Sequence, residues 1–206
     1  MVAASGGRAR VAISGGGTGG HISPALAVGA ALEEMLGPDR SDVVYYATTR
    51  PVDAAMYGEA GVRWEVLDSP RIDTGGMIAR LLLPARSARA LLRARAKLVA
   101  SGASVAFGTG GYPSFFMLLA ARTLRIPCAL HESNSRPGRA NRLASRFCKE
   151  VYVGFGSACD RFGDKAVHTG NPVRSAMERM PRSDALRELG LDPEGPVVLF
   201  LGGSQG

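Results

Sequence analysis

The residues that decide the fold lie near the start of the chain, where positions 10–36 read RVAISGGGTGGHISPALAVGAALEEML. The apolar run at 10–14 predicts a strand, and glycine fills most of the next six positions. Ser23 followed by Pro24 predicts the start of a helix, because serine caps a helix and proline suits its first turn. Apolar residues then recur at helical spacing as far as Leu36. A strand, a glycine loop and a helix in this order predict one unit of a parallel α/β sheet.

The same alternation of strand and helix continues along the chain. We predict further strands at 42–47, 63–67, 104–107, 126–130, 151–155, 166–169 and 196–201. We predict further helices at 53–60, 78–100 (broken near Pro84), 115–124, 139–147 and 184–189. The pattern predicts an α/β fold with a mostly parallel, doubly wound sheet, in which ligands lie beyond the carboxyl ends of the strands.

Length and composition exclude several classes of protein. A chain of 206 residues is one large domain or one domain with the start of another. Hydrophobic residues at 46% and charged residues at 21% exclude a disordered chain. The longest uninterrupted apolar run, 115–121, is far below the ~20 residues of a membrane-spanning helix. The first ten residues, MVAASGGRAR, lack the apolar core of a signal peptide, and three cysteines fit a reducing compartment with free thiols.

Charge is concentrated in the middle of the chain. Residues 71–150 carry 14 Lys and Arg against 3 Asp and Glu, and the whole chain has a net charge of +7. Between 74 and 131 there is no acidic residue. Such a block predicts an anionic partner, which is phosphate, nucleic acid or acidic lipid, with a solvated arginine-rich helix as the alternative.

Three glycine loops follow predicted strands, at 15–20, 108–114 and 202–206. The first fits the dinucleotide pattern G-x-G-x-x-G, but the second strand ends without the acidic residue that binds the ribose of NAD. Arg50 at that place leaves an NADP-binding interpretation open. The third loop fits the hydrolase pattern G-x-S-x-G, but no acid or histidine follows Ser204 to complete a triad. No G-x-x-x-x-G-K-[ST] sequence occurs, which argues against a P-loop nucleotidase.

The polar stretch at 180–195, which contains two prolines and leads to a third at Pro196, predicts a linker. We therefore expect one domain over 1–180 and the start of a second over 181–206. The last predicted strand and its glycine loop have no helix behind them. We expect the chain to belong to a longer protein, cut just inside a second α/β domain.

Five motifs, taken in order, resemble the MurG family. They are Gly15-Gly16-Gly17-Thr18-Gly19-Gly20-His21 with Pro24 to Val28, Gly108-Thr109-Gly110-Gly111-Tyr112, His131-Glu132-Ser133-Asn134, Gly170-Asn171-Pro172-Val173-Arg174 and Gly202 to Gly206. This family is the bacterial undecaprenyldiphospho-muramoylpentapeptide β-N-acetylglucosaminyltransferase. The resemblance implies a GT-B fold, in which two Rossmann-like domains enclose the active site.

The resemblance also implies an activity. The family transfers N-acetylglucosamine, with inversion, from UDP-N-acetylglucosamine to the muramoyl 4-hydroxyl of lipid I, and the product is lipid II for peptidoglycan synthesis, cell shape and cell division. The first domain would bind the lipid acceptor, and the second would supply most donor contacts, with no cofactor required. Such an enzyme would be a peripheral protein on the cytoplasmic face of the bacterial inner membrane. We expect these 206 residues alone to be catalytically silent.

Three alternatives stay open beside this interpretation. The first is another GT-B glycosyltransferase that uses a nucleotide sugar. The second is an NADP-binding oxidoreductase domain, and the third is a lipid-docking module without catalysis.

The motifs imply roles for particular residues. Donor contacts would come from Thr18, Gly19, Gly20, Asn134, Arg174 and Ser204. Acceptor contacts would come from Gly110, Gly111 and Tyr112. His21 would lie beside the reacting centre. The family usually has glutamine where this chain has Ser133.

The residues themselves suggest two candidate bases. His21 follows a glycine loop at a helix start, where positive potential favours the neutral imidazole that a base needs near pH 7. The alternative is that His21 only caps the helix or holds a phosphate. Glu132 is the second candidate, although a glutamate at such a position also orients a neighbour or caps a helix. His131 and His168 lack the spacing of metal ligands, so we predict no metal site.

The basic stretch around 78–97 combines leucines with arginines. The patch consists of Ile78, Arg80, Leu81, Leu82, Arg86 and Arg89. This mixture is typical of a surface that dips into an anionic leaflet, so we predict contact with anionic inner-leaflet lipids. Aromatic residues are few there and no RNA- or DNA-binding motif occurs, so we predict no nucleic-acid partner. A core-facing helix with solvated arginines is the alternative.

Overall fold

The computed structural model describes residues 8–37, 39–70, 77–174, 180–192 and 194–200, with the backbone alone for 77–81. Seven parallel strands form one sheet in the order β3-β2-β1-β4-β5-β6-β7. The strands are β1 Ala9–Gly15, β2 Ser41–Ala47, β3 Trp64–Val66, β4 Val105–Gly110, β5 Cys128–Glu132, β6 Glu150–Val153 and β7 Ala166–His168. The helices are α1 Gly19–Leu36, α2 Pro51–Glu59, α3 Met77–Ser101, α4 Gly111–Thr123, α5 Arg139–Ala144 and α6 Arg182–Glu188, with 3-10 helices at Gly156–Arg161 and Gly163–Lys165.

Apolar residues cover both faces of the sheet. Along β1, Val11 and Ile13 belong to one buried cluster, whereas Ala12 between them belongs to another. This alternation follows from the two-residue period of a strand. Helices α1 and α2 pack on the first face, and α3, α4 and α5 pack on the second. The predicted doubly wound α/β fold is therefore confirmed, and the three cysteines are free thiols as predicted.

The strand order reverses direction at β1. From β1 the chain moves outward to β2 and β3, and then returns to place β4 on the other side of β1. In such sheets the reversal opens a crevice at the carboxyl ends of the two strands. Gly15 at the end of β1 lies opposite Gly110 at the end of β4. The first two glycine loops therefore meet at this switch point.

Two predicted helix starts are wrong by about one turn. Helix α1 begins at Gly19, after the extended residue Thr18, so Pro24 lies inside the helix instead of starting it. Pro24 is buried, and its packing offsets the hydrogen bond that its missing N–H cannot make. Helix α4 begins at Gly111 and not at 115, because Gly110, with φ of 126°, ends the strand and turns the chain directly into the helix.

Two further predictions are corrected. Helix α3 continues through Pro84, which lies on the exposed side, where water can satisfy the carbonyl that loses its partner. The predicted strand at 196–201 does not form over 196–200, and residue 201 lies outside the described part. Val198 and Phe200 are 74% and 91% exposed there. A strand needs a neighbour for its N–H and C=O groups, and the described residues place none beside this segment. The two 3-10 helices were not predicted.

Candidate active site

The carboxyl edge of the sheet collects most of the predicted site residues. Because all seven strands are parallel, their carboxyl ends lie along one edge. The glycine loop after β1, the start of α4 after β4, and residues 133–134 after β5 all begin there. Residues 169–174 follow β7 at the same edge. Ser204 lies outside the described residues.

His21 lies between the two glycine loops at the switch point. Its Nδ1 is 3.2 Å from the carbonyl oxygen of Gly16 and 3.3 Å from Oγ1 of Thr18. A carbonyl oxygen can only accept a hydrogen bond, so Nδ1 donates to Gly16, and in the neutral imidazole Nε2 is then the acceptor. Nε2 makes no hydrogen bond within the described part of the chain. A Cβ atom at Gly110 would lie 2.7 Å from Nε2, so the second loop passes directly over the imidazole ring.

The second loop is fixed to the first by buried hydroxyl groups. Thr109 donates from Oγ1 to the carbonyl oxygen of His21 at 2.7 Å, and Ser114 donates to the carbonyl oxygen of Ser14. A Cβ atom at Gly111 would lie 2.6 Å from the carbonyl oxygen of Gly16. The backbones of the two loops therefore approach as closely as glycine allows. Tyr112 lies half-buried in the first turn of α4.

Side chains of helix α2 and of Arg50 before it form hydrogen bonds to the first glycine loop. Asp53, fully buried, accepts hydrogen bonds from the Gly17 N–H at 2.9 Å and from the Thr48 N–H at 2.6 Å. Tyr57 donates from its hydroxyl to the carbonyl oxygen of Gly15 at 2.6 Å, and Arg50 donates to that of Gly17 at 2.5 Å. Burial is the main reason that the pKa of Tyr57 is raised, with the Asp53 carboxylate adding to it. Tyr57 therefore stays a hydrogen-bond donor.

The sequence predicted a helix around Asp53 but assigned no role to Asp53 or Tyr57. Their spacing of four residues, on one face of a helix that follows β2, was the available signal. Asp53 also accepts from the nearby Thr48, but its contact with Gly17 spans 36 residues and that of Tyr57 with Gly15 spans 42, which no local pattern reveals. The contacts also weaken the NADP-binding interpretation. Arg50, which would bind the 2′-phosphate of NADP, donates to the Gly17 carbonyl oxygen instead. The Gly17 N–H, which would bind the pyrophosphate, donates to Asp53.

Glu132 occupies the centre of a second cluster, at the end of β5. Its side chain is fully buried and accepts four hydrogen bonds. One oxygen accepts from the backbone N–H and side-chain amide of Asn134, at 2.9 and 2.8 Å. The other accepts from the N–H of Gly138 at 3.1 Å and the amide of Asn141 at 2.9 Å. Such a carboxylate holds the loop in shape, and the exposed Asn134 keeps an amide oxygen that accepts no hydrogen bond from the described residues.

His131 connects this cluster to the segment after β7. Its Nε2 lies 3.2 Å from the carbonyl oxygen of Gly170, and its Nδ1 lies 3.3 Å from Oγ of Ser133. Asn171 donates to the carbonyl oxygen of Ser133 at 3.3 Å. Burial lowers the pKa of His131, against the opposing effects of the Gly170 hydrogen bond and the Glu132 charge. The segment that carries the exposed Arg174 is thereby held next to the loop that carries Asn134.

The structure thus groups the predicted residues into two sets. One contains Thr18, Gly19, Gly20, His21, Gly110, Gly111 and Tyr112 at the switch point. The other contains Glu132, Asn134 and the start of the 170–174 segment. No hydrogen bond between the described residues joins the two sets. Both sets open onto the same edge of the sheet.

The predicted membrane patch lies on α3, on the second face of the sheet. Leu82 is 46% exposed, and Arg86 and Arg89 are exposed beside a groove of about 530 Å³ that also includes Asp68 and Arg93. The side chains of Ile78, Arg80 and Leu81 lie outside the described part. Among the described helices, none combines the length and apolarity needed to cross a bilayer. The described residues also contain no group of three His, Cys, Asp or Glu side chains arranged for a metal ion.

Comparison with known proteins decides the family. Residues 11–153 match the glycosyltransferase family 28 N-terminal domain. The chain belongs to glycosyltransferase family 28. Within the family it is similar to proteins named UDP-N-acetylglucosamine--N-acetylmuramyl-(pentapeptide) pyrophosphoryl-undecaprenol N-acetylglucosamine transferase. It is 35% identical to the one from Symbiobacterium thermophilum over 96% of this chain and 53% of the relative, and 38% identical to the one from Rubrobacter xylanophilus over 85% and 52%.

Solved structures agree with this placement in glycosyltransferase family 28. MurG from Acinetobacter baumannii is 26% identical and superposes with a TM-score of 0.63, over 85% of this chain and 48% of that one. UDP-GlcNAc 2-epimerase from Neisseria meningitidis, at 15% identity, shares the fold with a TM-score of 0.59, over 79% and 46%. The resemblance to the MurG family is confirmed. This family 28 chain spans about half the length of the curated relatives it matches.

Proposed function

We propose that this chain is the acceptor-binding half of an inverting N-acetylglucosaminyltransferase that converts lipid I to lipid II. One observation carries the proposal: the His21 imidazole lies between two glycine loops at the switch point, with Nδ1 at the Gly16 carbonyl oxygen and Nε2 without a hydrogen bond among the described residues. The names of the relatives supply the substrates, UDP-N-acetylglucosamine and a lipid-linked muramyl pentapeptide. The division into domains at 1–180 and 181–206 is part of the same proposal.

His21 is the proposed general base. Its free Nε2 takes the proton from the muramoyl 4-hydroxyl as that oxygen attacks the anomeric carbon of the donor sugar. The bond from the anomeric carbon to the diphosphate breaks, and UDP leaves with the electron pair. A histidine in this role contributes typically ~10²–10⁴-fold to the rate.

The two helix starts stabilise negative charge. Helices α1 and α4 both begin at the crevice, and neither has a side-chain cap on its first N–H groups. Uncapped N–H groups and the helix dipole favour phosphate oxygens at such a position. We assign the α1 start, with Thr18, Gly19 and Gly20, to the donor, and the α4 start, with Gly111 and Tyr112, to the acceptor.

Glu132 is proposed as a positioning residue and not as a base. All of its close contacts are donors, from the loop after β5 and from Asn141 on α5, so a substrate proton would have to displace one of them. Its role is to present the amide oxygen of Asn134 to a sugar hydroxyl. Arg174 and Ser204 are proposed to contact the donor diphosphate from the segments that follow β7 and residue 200.

The basic surface of α3 is proposed to hold the protein on the cytoplasmic face of the membrane, where it would meet its lipid acceptor. Leu82 exposes apolar surface beside the exposed Arg86 and Arg89. Each basic residue close to an anionic leaflet contributes ~1 kcal/mol. Ile78, Arg80 and Leu81 extend the patch by sequence. This assigns the basic stretch to anionic lipid and not to nucleic acid.

A fusion protein that restores the missing half makes it possible to test the proposal by activity. The 206-residue chain is joined to the carboxyl-terminal half of the Symbiobacterium thermophilum relative, and transfer of labelled N-acetylglucosamine to a short-chain lipid I analogue is measured. We expect transfer by the joined protein, none by the chain alone, and a kcat lower by ~10²-fold or more with His21→Gln. His168→Gln, at an exposed histidine that ends β7, is the matched control and keeps full activity.

Two results would contradict the proposal. Turnover by the 206-residue chain alone would show that it is more than an acceptor half. A folded His21→Gln protein with unchanged kcat would remove His21 as the base.

A further inference from the structure

A second cationic groove lies on α5 and the 3-10 helices, apart from the switch point. It has a volume of about 530 Å³. Its five cationic residues are Arg139, Arg142, Arg146, Arg161 and Lys165. We call these five residues, with the space between them, the α5 groove. Its volume is within the ~300–1,000 Å³ of sites that bind small molecules.

The α5 groove lacks counter-ions of its own. No acidic residue lines it, and none of its five cations forms an ion pair within the described part of the chain. The groove on α3 differs, because its lining includes Asp68, which pairs with Arg93 at 3.4 Å. Five like charges around one space repel each other unless an anion lies between them. An anion bound in the α5 groove would reduce this repulsion. In the α3 groove, Asp68 already neutralises part of the positive charge.

The backbone under the α5 groove is held in place. Asn141 on the inner side of α5 donates to the buried Glu132, and Ala144 on the same helix is fully buried. Lys165 donates to the carbonyl oxygen of Ser145 at 3.2 Å, which ties the 3-10 segment to the end of α5. Because the inner side is fixed, the arginines on the outer side start from a preorganised scaffold. Preorganisation lowers the entropy cost of binding.

We propose that the α5 groove binds a phosphoryl anion, carried either by a lipid headgroup or by a soluble phosphate compound. Arginine presents two parallel N–H groups that match two phosphate oxygens, and four arginines line this groove. The half-buried Phe162 and the exposed Leu143 add apolar contact beside the charges. The site is separate from the proposed donor and acceptor sites at the switch point, and it does not depend on the proposed transferase activity.

The test uses the 206-residue chain with three exposed cations removed. Arg142→Gln/Arg146→Gln/Lys165→Gln is compared with a control of equal charge change, Arg40→Gln/Arg63→Gln/Arg187→Gln, whose residues lie elsewhere on the surface. Binding is measured by titration with inorganic pyrophosphate, and by co-sedimentation with phosphatidylglycerol vesicles and with phosphatidylcholine vesicles. We expect the groove variant to lose at least roughly tenfold in affinity for one of the anionic probes, and the control to lose less than about twofold.

The two arms distinguish the sources of the phosphoryl group. Loss confined to pyrophosphate indicates a soluble ligand, and loss confined to phosphatidylglycerol vesicles indicates a headgroup. Equal losses in the groove variant and the control would show a net-charge effect and would overturn the proposal, as would unchanged binding in the groove variant. Arg142→Lys/Arg146→Lys keeps the charge and tests whether the paired N–H groups of arginine are needed. We expect this variant to lose affinity for the anionic probe severalfold, because lysine cannot bind phosphate in a bidentate manner.

Discussion

Two buried carboxylates, Asp53 and Glu132, organise the two halves of the carboxyl edge in different ways. Both are fully buried, both accept four hydrogen-bond contacts, and neither forms an ion pair within the described part of the chain. Asp53 reaches from α2 to the Gly17 N–H, 36 residues before it. Glu132 contacts only residues two, six and nine positions after it. Asp53 ties α2 to a loop that is distant in the sequence, whereas Glu132 ties the end of β5 only to the loop and the helix that directly follow it.

This difference predicts which part of the site each carboxylate holds in position. The Asp53 contacts fix the first glycine loop against α2, and therefore also fix the position of His21, whose Nδ1 bonds to the Gly16 carbonyl of the same loop. The Glu132 contacts fix only the path from β5 to α5. Loss of Asp53 should affect the base, and loss of Glu132 should affect the presentation of Asn134.

The largest effect is expected for Asp53→Ala. The change leaves the Gly17 N–H, the Thr48 N–H and the Thr48 hydroxyl without an acceptor in a buried place, and we expect a loss of ~3–5 kcal/mol in the free energy of unfolding. Urea denaturation measures it. Asp160→Ala, at an exposed position, is the control and should change stability by less than ~0.5 kcal/mol. A loss as small as in the control would show that water replaces the carboxylate.

A smaller loss is expected for Glu132→Gln. The amide keeps one acceptor oxygen and replaces the other with a donor that faces the Gly138 N–H and the Asn141 amide, or else the two groups of Asn134. We expect a loss of ~2–3 kcal/mol by the same urea measurement. Because Asp53 and Glu132 share no partner, the double variant should be additive within ~0.5 kcal/mol. A larger coupling energy would mean that the two halves of the edge are not independent.

The comparison also shows which parts of the site the sequence can predict. The contacts of Glu132 are local, so the His131-Glu132-Ser133-Asn134 motif already contains the glutamate and its first partner. The contact of Asp53 with Gly17 joins segments that only the folded sheet brings together, so the sequence predicted no more than a helix at that place. The seven observed strands were predictable from short, mostly apolar runs, although the same signal wrongly predicted a strand over 196–200. The starts of α1 and α4 were not, because each helix begins within a glycine-rich stretch, and such a stretch predicts a loop.

The two glycine loops give a test of intermediate size. Gly111 has φ of 83°, and a Cβ atom there would lie 2.6 Å from the Gly16 carbonyl oxygen. We expect Gly111→Ala to cost ~1–2 kcal/mol in urea denaturation and to shift the NMR signals of His21. Gly138→Ala is the matched control, because that residue has φ of −65° and open space around its Cβ position. Equal stability of the two variants would show that the loops separate without cost.

The smallest expected effect is a pH dependence of the free energy of unfolding, caused by His131 next to Glu132. Burial lowers the pKa of His131 below that of the unfolded chain, so below about pH 6.5 the unfolded state binds more protons. The stability that this histidine contributes is therefore complete above that pH and is lost as the pH falls through its folded pKa. We expect the loss between pH 6.5 and 5.5 to be at most ~1 kcal/mol and to disappear in His131→Gln, whose amide can still donate to the Gly170 carbonyl.

His168→Gln, at an exposed histidine, is the control and should keep the parent protein's slope of unfolding free energy against pH. Parallel slopes in the parent and His131→Gln proteins would instead place the pH dependence elsewhere and leave the Gly170 contact as a neutral hydrogen bond.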